Sequence, residues 1–219
     1  MTNKSEIEQK VAEFLLQIKA IKLQPNHPFT WASGWKSPIY CDNRITLSHP
    51  AIRTYIRQKL VSLIQDEFGS VSVIAGVATA GIPQGVLVAQ ELGLPFIYVR
   101  AKAKEHGRGN LIEGEFSPGQ RVVVVEDLIS TGNSSLQAVQ ALREAGCKVA
   151  GLVGIFNYGF DAADENFKKA KCRFLTLSNY SALINYAAEH SFVSAVDLKL
   201  LRKWRENPQN WGNNLESQS

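Results

Sequence analysis

A chain of 219 residues, 45% hydrophobic and 20% charged, can bury a full core as one domain. Its net charge of +4, from 24 Lys+Arg against 20 Asp+Glu, is too mild to argue for nucleic acid, though it suits an anionic small ligand. No apolar run is long enough for a membrane span, and the polar start MTNKSEIEQK has no signal-peptide core. Cys41, Cys147 and Cys172 have no paired metal-ligand spacing, so reduced thiols in a cytoplasmic protein are expected.

From Ser5 to about Ala20, the residues Ile7, Val11, Phe14, Leu15 and Ile18 recur at helical spacing, and Ser5 with Glu8 fits a capping box. The stretch Phe29–Arg44, FTWASGWKSPIYCDNR, cannot be a helix because of Pro38 and Ser33-Gly34. Ile39–Cys41 fits a short edge strand. Its aromatics suit either a packed structural cover or a cover over a flat heterocycle, with Lys36 beside it as a cation. Helical spacing returns over Pro50–Phe68, closed by Gly69.

Ser72–Ala75 reads as a short buried strand. The Gly76–Pro83 loop after it is small enough to let backbone approach a ligand, and a helix follows over Gln84–Leu92. Pro95–Val99 is the next strand. The long connection from Arg100 to Gly119 begins with Arg100, Lys102, Lys104, His106 and Arg108, and is poor in apolar residues. A connection of that length is usually functional, and the spacing predicts a mobile lid over a polyanion.

Arg121–Ser135, RVVVVEDLISTGNSS, is the stretch around which the rest is organised. Val122–Val125 lack alternation, as in a strand buried on both faces. Glu126 and Asp127 follow directly and are expected at the strand's open end, since an unpaired carboxylate is costly to bury. Ser130, Thr131, Gly132, Asn133, Ser134 and Ser135 then lead to a helix expected from Leu136 to Ala145. Hydroxyls, a glycine and a helix N-terminus make an anion cradle. The loop lacks the GxxxxGK[ST] and GxGxxG patterns, so neither an ordinary P-loop nor a dinucleotide fingerprint is present. One phosphate beside a polyol, as in a phosphorylated ribose, fits what remains.

Val149–Phe156 is a further buried strand, followed by a helix over Ala162–Lys171 and a strand over Arg173–Leu177. Two more helices lie near Ser181–Glu189 and Val193–Asn207, and the tail after Pro208 reads as polar and frayed. Alternating strands and helices predict an α/β fold with a doubly wound, mostly parallel sheet. The loops after Ala75, Val99 and Val125 then share the carboxyl ends of the strands, where such sheets bind ligands.

VVVVEDLISTGNSS resembles the phosphoribosyl-diphosphate (PRPP) motif of the type I phosphoribosyltransferases. FTWASGWKSPIYCDNR resembles the N-terminal hood of the orotate phosphoribosyltransferases, and RAKAKEHGRGN resembles their catalytic loop. The three stand in that family's order and cover nearly the whole chain. The resemblance implies a small hood (residues 1–48) on a phosphoribosyltransferase core (residues 49–219). It implies transfer of ribose 5-phosphate from PRPP to orotate in pyrimidine biosynthesis, with Mg²⁺ held mainly through PRPP and no protein metal ligands. It also implies a homodimer whose catalytic loop acts across the interface.

By motif, the resemblance gives the 5′-phosphate to Ser130, Thr131, Gly132, Asn133 and Ser134, within a PRPP segment that includes Leu128 and Ile129. Glu126 and Asp127 take the ribose hydroxyls, and Arg100, Lys104 and His106 take the pyrophosphate. The catalytic residues are Lys104, His106, Glu126 and Asp127. Tyr40, Cys41 and Ser130 meet the orotate ring. Ala32, Ala80, Ala101 and Tyr158 depart from the best-known members, which carry Lys at the first three positions and at Tyr158 an Arg that meets the orotate carboxylate. Lys36 is the candidate for that carboxylate here. The alternatives are a phosphoribosyltransferase for a purine base, which shares the PRPP loop but lacks the hood, and a non-catalytic PRPP-sensing regulator.

Overall fold

The computed structural model describes residues 3–31, 33–102 and 111–211. Helix α1 (Lys4–Gln17) starts from Asn3, whose side chain accepts from Ser5 N while Glu6 accepts from the Asn3 amide. The capping box thus lies two residues before the expected Ser5/Glu8 pair. Asn and Glu three residues apart serve equally well there. The helix ends early because Lys19 turns into the left-handed region at φ +57°.

The hood follows as four short strands: β1 (Ile21–Leu23), β2 (Phe29–Thr30), β3 (Lys36–Ser37) and β4 (Ile39–Cys41). β1 pairs antiparallel with β4, and β2 with β3. A 3₁₀ turn, Asn43–Ser48, leads to α2 (Pro50–Phe68), with Pro50 in its first turn and Gly69 closing it at φ +63°.

The main sheet is built from β5 (Val73–Val77), then after α3 (Gly81–Leu92) β6 (Phe96–Val99) and β7 (Ile112–Glu113). Next come β8 (Arg121–Ile129), α4 (Asn133–Glu144), β9 (Lys148–Asn157), α5 (Asp161–Lys169) and β10 (Phe174–Asn179). Helices α6 (Tyr180–Glu189) and α7 (Ala195–Glu206) end the fold. The strand order is β10-β9-β8-β5-β6-β7, parallel except for β7. The chain enters at β5, steps outward to β6 and returns past β5 to β8. Strand order therefore reverses between β5 and β8, and the crevice for a ligand opens at their carboxyl ends.

The four valines of β8 are fully buried on alternating faces. Val123 and Val125 join the core made with α1, α2, α6, α7 and the hood, and Val122 and Val124 join the one made with α4 and α5. Each buried valine contributes about 1.5–3 kcal/mol, so the two-sided burial fixes the strand that carries the acidic pair.

Four expectations are corrected. β8 runs on through Glu126 and Asp127 to Ile129 instead of stopping at Val125. Helices α3 and α4 begin three residues earlier than periodicity suggested, because the added residues, Gly81-Ile82-Pro83 and Asn133-Ser134-Ser135, show no apolar stripe of their own. The Arg100–Gly119 connection is not all loop: Ile112–Glu113 adds an edge strand to β6, and Arg100 N donates to Leu111 O at 2.8 Å. Finally, Trp211, beyond Pro208, is buried in the core instead of frayed.

Candidate active site

Two close approaches shape the crevice. A Cβ on Gly81 would lie 2.4 Å from Val125 O, and one on Gly76 would lie 2.9 Å from Gly81 O. Only glycine lets the first turn of α3 lie against β8. The loop between, Ala78–Ala80, carries a cis peptide at Ala78–Thr79. No side chain caps α3, but its first turn offers little to an anion, since Ile82 N already donates to Thr79 O at 3.2 Å and Pro83 has no N–H.

Successive residues of a strand point to opposite faces, and the acidic pair divides accordingly. Glu126 turns toward α4 and is only 5% exposed. Its Oε1 accepts from Asp127 N at 3.0 Å and its Oε2 from Ser135 Oγ at 3.3 Å. Asp127 turns toward the hood, where Asn43 Nδ2 donates to its carbonyl at 2.7 Å. Burial, then the charge of Asp127, pushes the Glu126 carboxyl well above the usual range. Burial also raises Asp127, opposed by a hydrogen bond from the Glu126 side chain and by the Arg44 charge. Burial thus favours a proton on the pair, most strongly at Glu126. This is how a strand can run through two carboxylates that the sequence placed at its open end.

The phosphate-type loop follows. Gly132 has φ +80°, and a Cβ there would meet Phe167 Cε2 at 2.6 Å, so both conformation and space require glycine. Asn166 of α5 donates to Thr131 O at 3.0 Å and fixes the loop from outside. α4 begins at Asn133 with no side-chain cap. The backbone N–H groups of its first turn, with the Ser134 hydroxyl beside them, are therefore left without a side-chain cap, as an anion cradle requires.

On the hood side of β8 lies a cavity of about 270 Å³ lined by Thr30, Trp31, Tyr40, Cys41, Leu128, Ser130 and Tyr158. It gathers Tyr40, Cys41 and Ser130, the residues expected around the base ring. Lys36 does not line it. Its ammonium donates to Thr30 Oγ1 at 2.9 Å, one residue back from the wall. The Trp31 ring packs on Tyr158 and Trp204 at 5.1 and 5.6 Å, and Trp204 Nε1 donates to Lys36 O at 3.2 Å. Burial holds the Tyr158 phenol well above its usual range, and burial with the nearby Asp127 does the same for the Cys41 thiol. Both stay protonated donors. On the α4 side, a cavity of about 330 Å³ has Ala78, Arg100 and Ser134 in its wall.

Residues 45–189 match the phosphoribosyl transferase domain family. Over 205 residues the chain is 55% identical to the orotate phosphoribosyltransferase of Phocaeicola vulgatus, covering 94% of this chain and 97% of that protein. The chain belongs to the orotate phosphoribosyltransferase family. The fold agrees. The orotate phosphoribosyltransferase of Aeropyrum pernix superposes with a TM-score of 0.73 at 27% identity, over 84% of this chain and 99% of that one. The Mycobacterium tuberculosis enzyme, solved in complex with PRPP, superposes with a TM-score of 0.64 at 26% identity, over 81% of this chain and 98% of that one.

The other expected site residues distribute as follows. Glu126, Asp127, Leu128 and Ile129 end β8, Ser130–Gly132 form the turn, and Asn133 and Ser134 open α4. Arg100 stands at the end of β6, 3.5 Å from Glu113. Lys104 and His106 lie outside the described residues. Sequence reasoning gave no role to four buried polar residues, Ser135, Asn43, Thr46 and Gln84. Ser135 closes the loop segment and Asn43 lies in the hood segment, but neither was singled out. Thr46 and Gln84 come from segments with no motif of their own.

Proposed function

We propose that this chain transfers the 5-phosphoribosyl group from PRPP to orotate, forming orotidine 5′-monophosphate and pyrophosphate. The carrying observation is that Ser130 belongs to two places at once: it opens the phosphate-type turn and it lines the cavity under the hood. A ligand with a phosphate on that turn and a ring in that cavity must place its sugar over the end of β8, where Asp127 stands.

Breaking the bond from ribose C1 to pyrophosphate leaves positive charge on the ring and negative charge on the leaving group. Asp127 and Glu126 orient the ribose hydroxyls, and Asp127 favours the cationic ring. Arg100, Lys104 and His106 neutralise the pyrophosphate. The Ser130–Ser134 turn holds the 5′-phosphate. Tyr40, Cys41, Ser130 and Lys36 hold orotate, with Lys36 taking its carboxylate. Among the described residues, no group of three or more His, Cys, Asp or Glu side chains could hold a metal ion. On this reading a Mg²⁺ would come with PRPP, held through its oxygens. The ion would offset charge on the leaving group. The enzyme is read as a homodimer, as the family resemblance implies, and as cytoplasmic, in keeping with its three free thiols.

Following orotate absorbance after adding PRPP and Mg²⁺ tests the reading. Orotate is consumed, while hypoxanthine and adenine offered separately are not, and chelating the Mg²⁺ stops turnover. Consumption of a purine base instead, or PRPP binding without turnover of any base, would overturn it.

A further inference from the structure

Three of the buried polar residues form a single connected chain with the site at one end, the link at Asn43 passing through its main-chain carbonyl. Asn43, Thr46 and Gln84 are 1%, 0% and 2% exposed. Asn43 Nδ2 donates to the Asp127 carbonyl at 2.7 Å, and Asn43 Oδ1 accepts from the Cys41 thiol at 3.3 Å. Thr46 Oγ1 donates to the Asn43 carbonyl at 2.6 Å, and Gln84 Nε2 donates to Thr46 Oγ1 at 3.2 Å. Each donor in this chain meets one acceptor, and the directions are consistent from end to end. Gln84 keeps its contact to Thr46 even though its Oε1 has no partner among the described residues.

The three elements joined are those that wall the three parts of the substrates. Cys41 is in the wall of the base cavity. Asp127 stands where the ribose is expected. Gln84 lies in the first turns of α3, directly behind the Ala78–Ala80 loop. Asn43 is the branch point, and it belongs to the 3₁₀ turn that links the hood to the core.

We propose that Asn43 is a positioning residue that sets the register between the base cavity and the ribose-facing carboxylate, with Thr46 and Gln84 anchoring it to α3. The proposal rests on the phosphoribosyl-transfer reading above. The physical reason is geometric. The attacking ring nitrogen and ribose C1 must be held in near-attack distance, and a misplacement of about 1 Å costs roughly 100-fold in rate. A hood held only by apolar packing can slide. Directional bonds shielded from water fix its offset from β8.

Asn43→Ala separates this role from plain stabilisation. Positioning predicts that kcat falls roughly 10- to 100-fold while KM for PRPP and for orotate each stay within about threefold, because each half-site remains intact. Thr46→Val keeps the shape and removes one link further out. It shows a smaller fall in the same parameter, and it carries the test if Asn43→Ala does not fold. An unchanged kcat in the folded variant, or a rise in both KM values with kcat preserved, would overturn the proposal and leave the enzyme assignment standing. Failure of the wild-type chain to turn over orotate would instead overturn the assignment on which the proposal depends.

Discussion

The phosphate half and the base half of the site are built in opposite ways. The phosphate half is one uninterrupted segment, from the buried valines of β8 through Glu126, Asp127 and the Gly132 turn into α4. Its parts follow one another in sequence, with Asn166, Phe167 and Asn43 holding them from outside. The base half is made of strands of two or three residues, held by contacts from far along the chain. Trp204 of α7 sits under the hood, bonded to Lys36 O across 168 positions, and Tyr158 packs beside it on Trp31. A segment that carries its own geometry can keep one chemistry. A cover assembled from distant side chains can change its ring preference without disturbing that chemistry.

The sharpest way to break this division is Asp127→Asn. It keeps the shape, removes the charge over the sugar, and is expected to lower kcat about 10³-fold, close to 4 kcal/mol of transition-state stabilisation. Little stability is lost, since burial already raises that carboxyl. Steady-state kinetics beside thermal melting checks both halves of the statement, and turnover like the wild type would remove Asp127 from the chemistry. Next in size is Trp204→Phe. Losing the indole N–H and part of a fully buried ring should cost about 2 kcal/mol of stability. KM for orotate should rise several-fold with KM for PRPP unmoved. If both KM values rose together, the two halves would not be separable as described.

The same contrast governs what could be read from the sequence. Pro50–Phe68 was legible to the residue because proline and a positive-φ glycine bracket it. Ile39–Cys41 was legible because Pro38 and the polar residues after Cys41 isolate it. The end of β8 was misjudged for a physical reason. Two adjacent carboxylates look unburiable until one of them gains a hydroxyl partner, and the Ser135 contact comes from the following helix. β7 was invisible because two residues carry no periodicity. Asn43, Thr46 and Gln84 look like surface residues, and only tertiary packing shows that they join one another. Nothing in the segment Phe29–Arg44 reveals that Trp204 supports it.

Lys36→Ala probes the rim of the base half. Its ammonium is exposed and one hydroxyl removed from the cavity wall. Losing a charge-assisted contact to the orotate carboxylate should raise KM for orotate about tenfold, with kcat nearly constant. An unchanged KM would send the search to the neutral donors, Tyr158 above all.

The smallest expected effect is on stability, through Glu126. Its carboxyl is raised in the folded protein above the ordinary value of 4.5 by burial and by Asp127. Below 4.5 it is protonated both folded and unfolded and has no net influence. As pH rises past 4.5, the unfolded chain loses the proton while the folded chain keeps it. Glu126 thus lowers stability progressively until pH reaches its raised folded value. Glu126→Gln mimics the protonated form and cannot ionise, so its melting temperature should match the wild type near pH 4 and exceed it increasingly toward neutrality. A margin that instead favours the wild type as pH rises would mean that Glu126 is ionised in the folded protein. The two carboxylates would then share the charge, and the division of labour between the faces of β8 would fail.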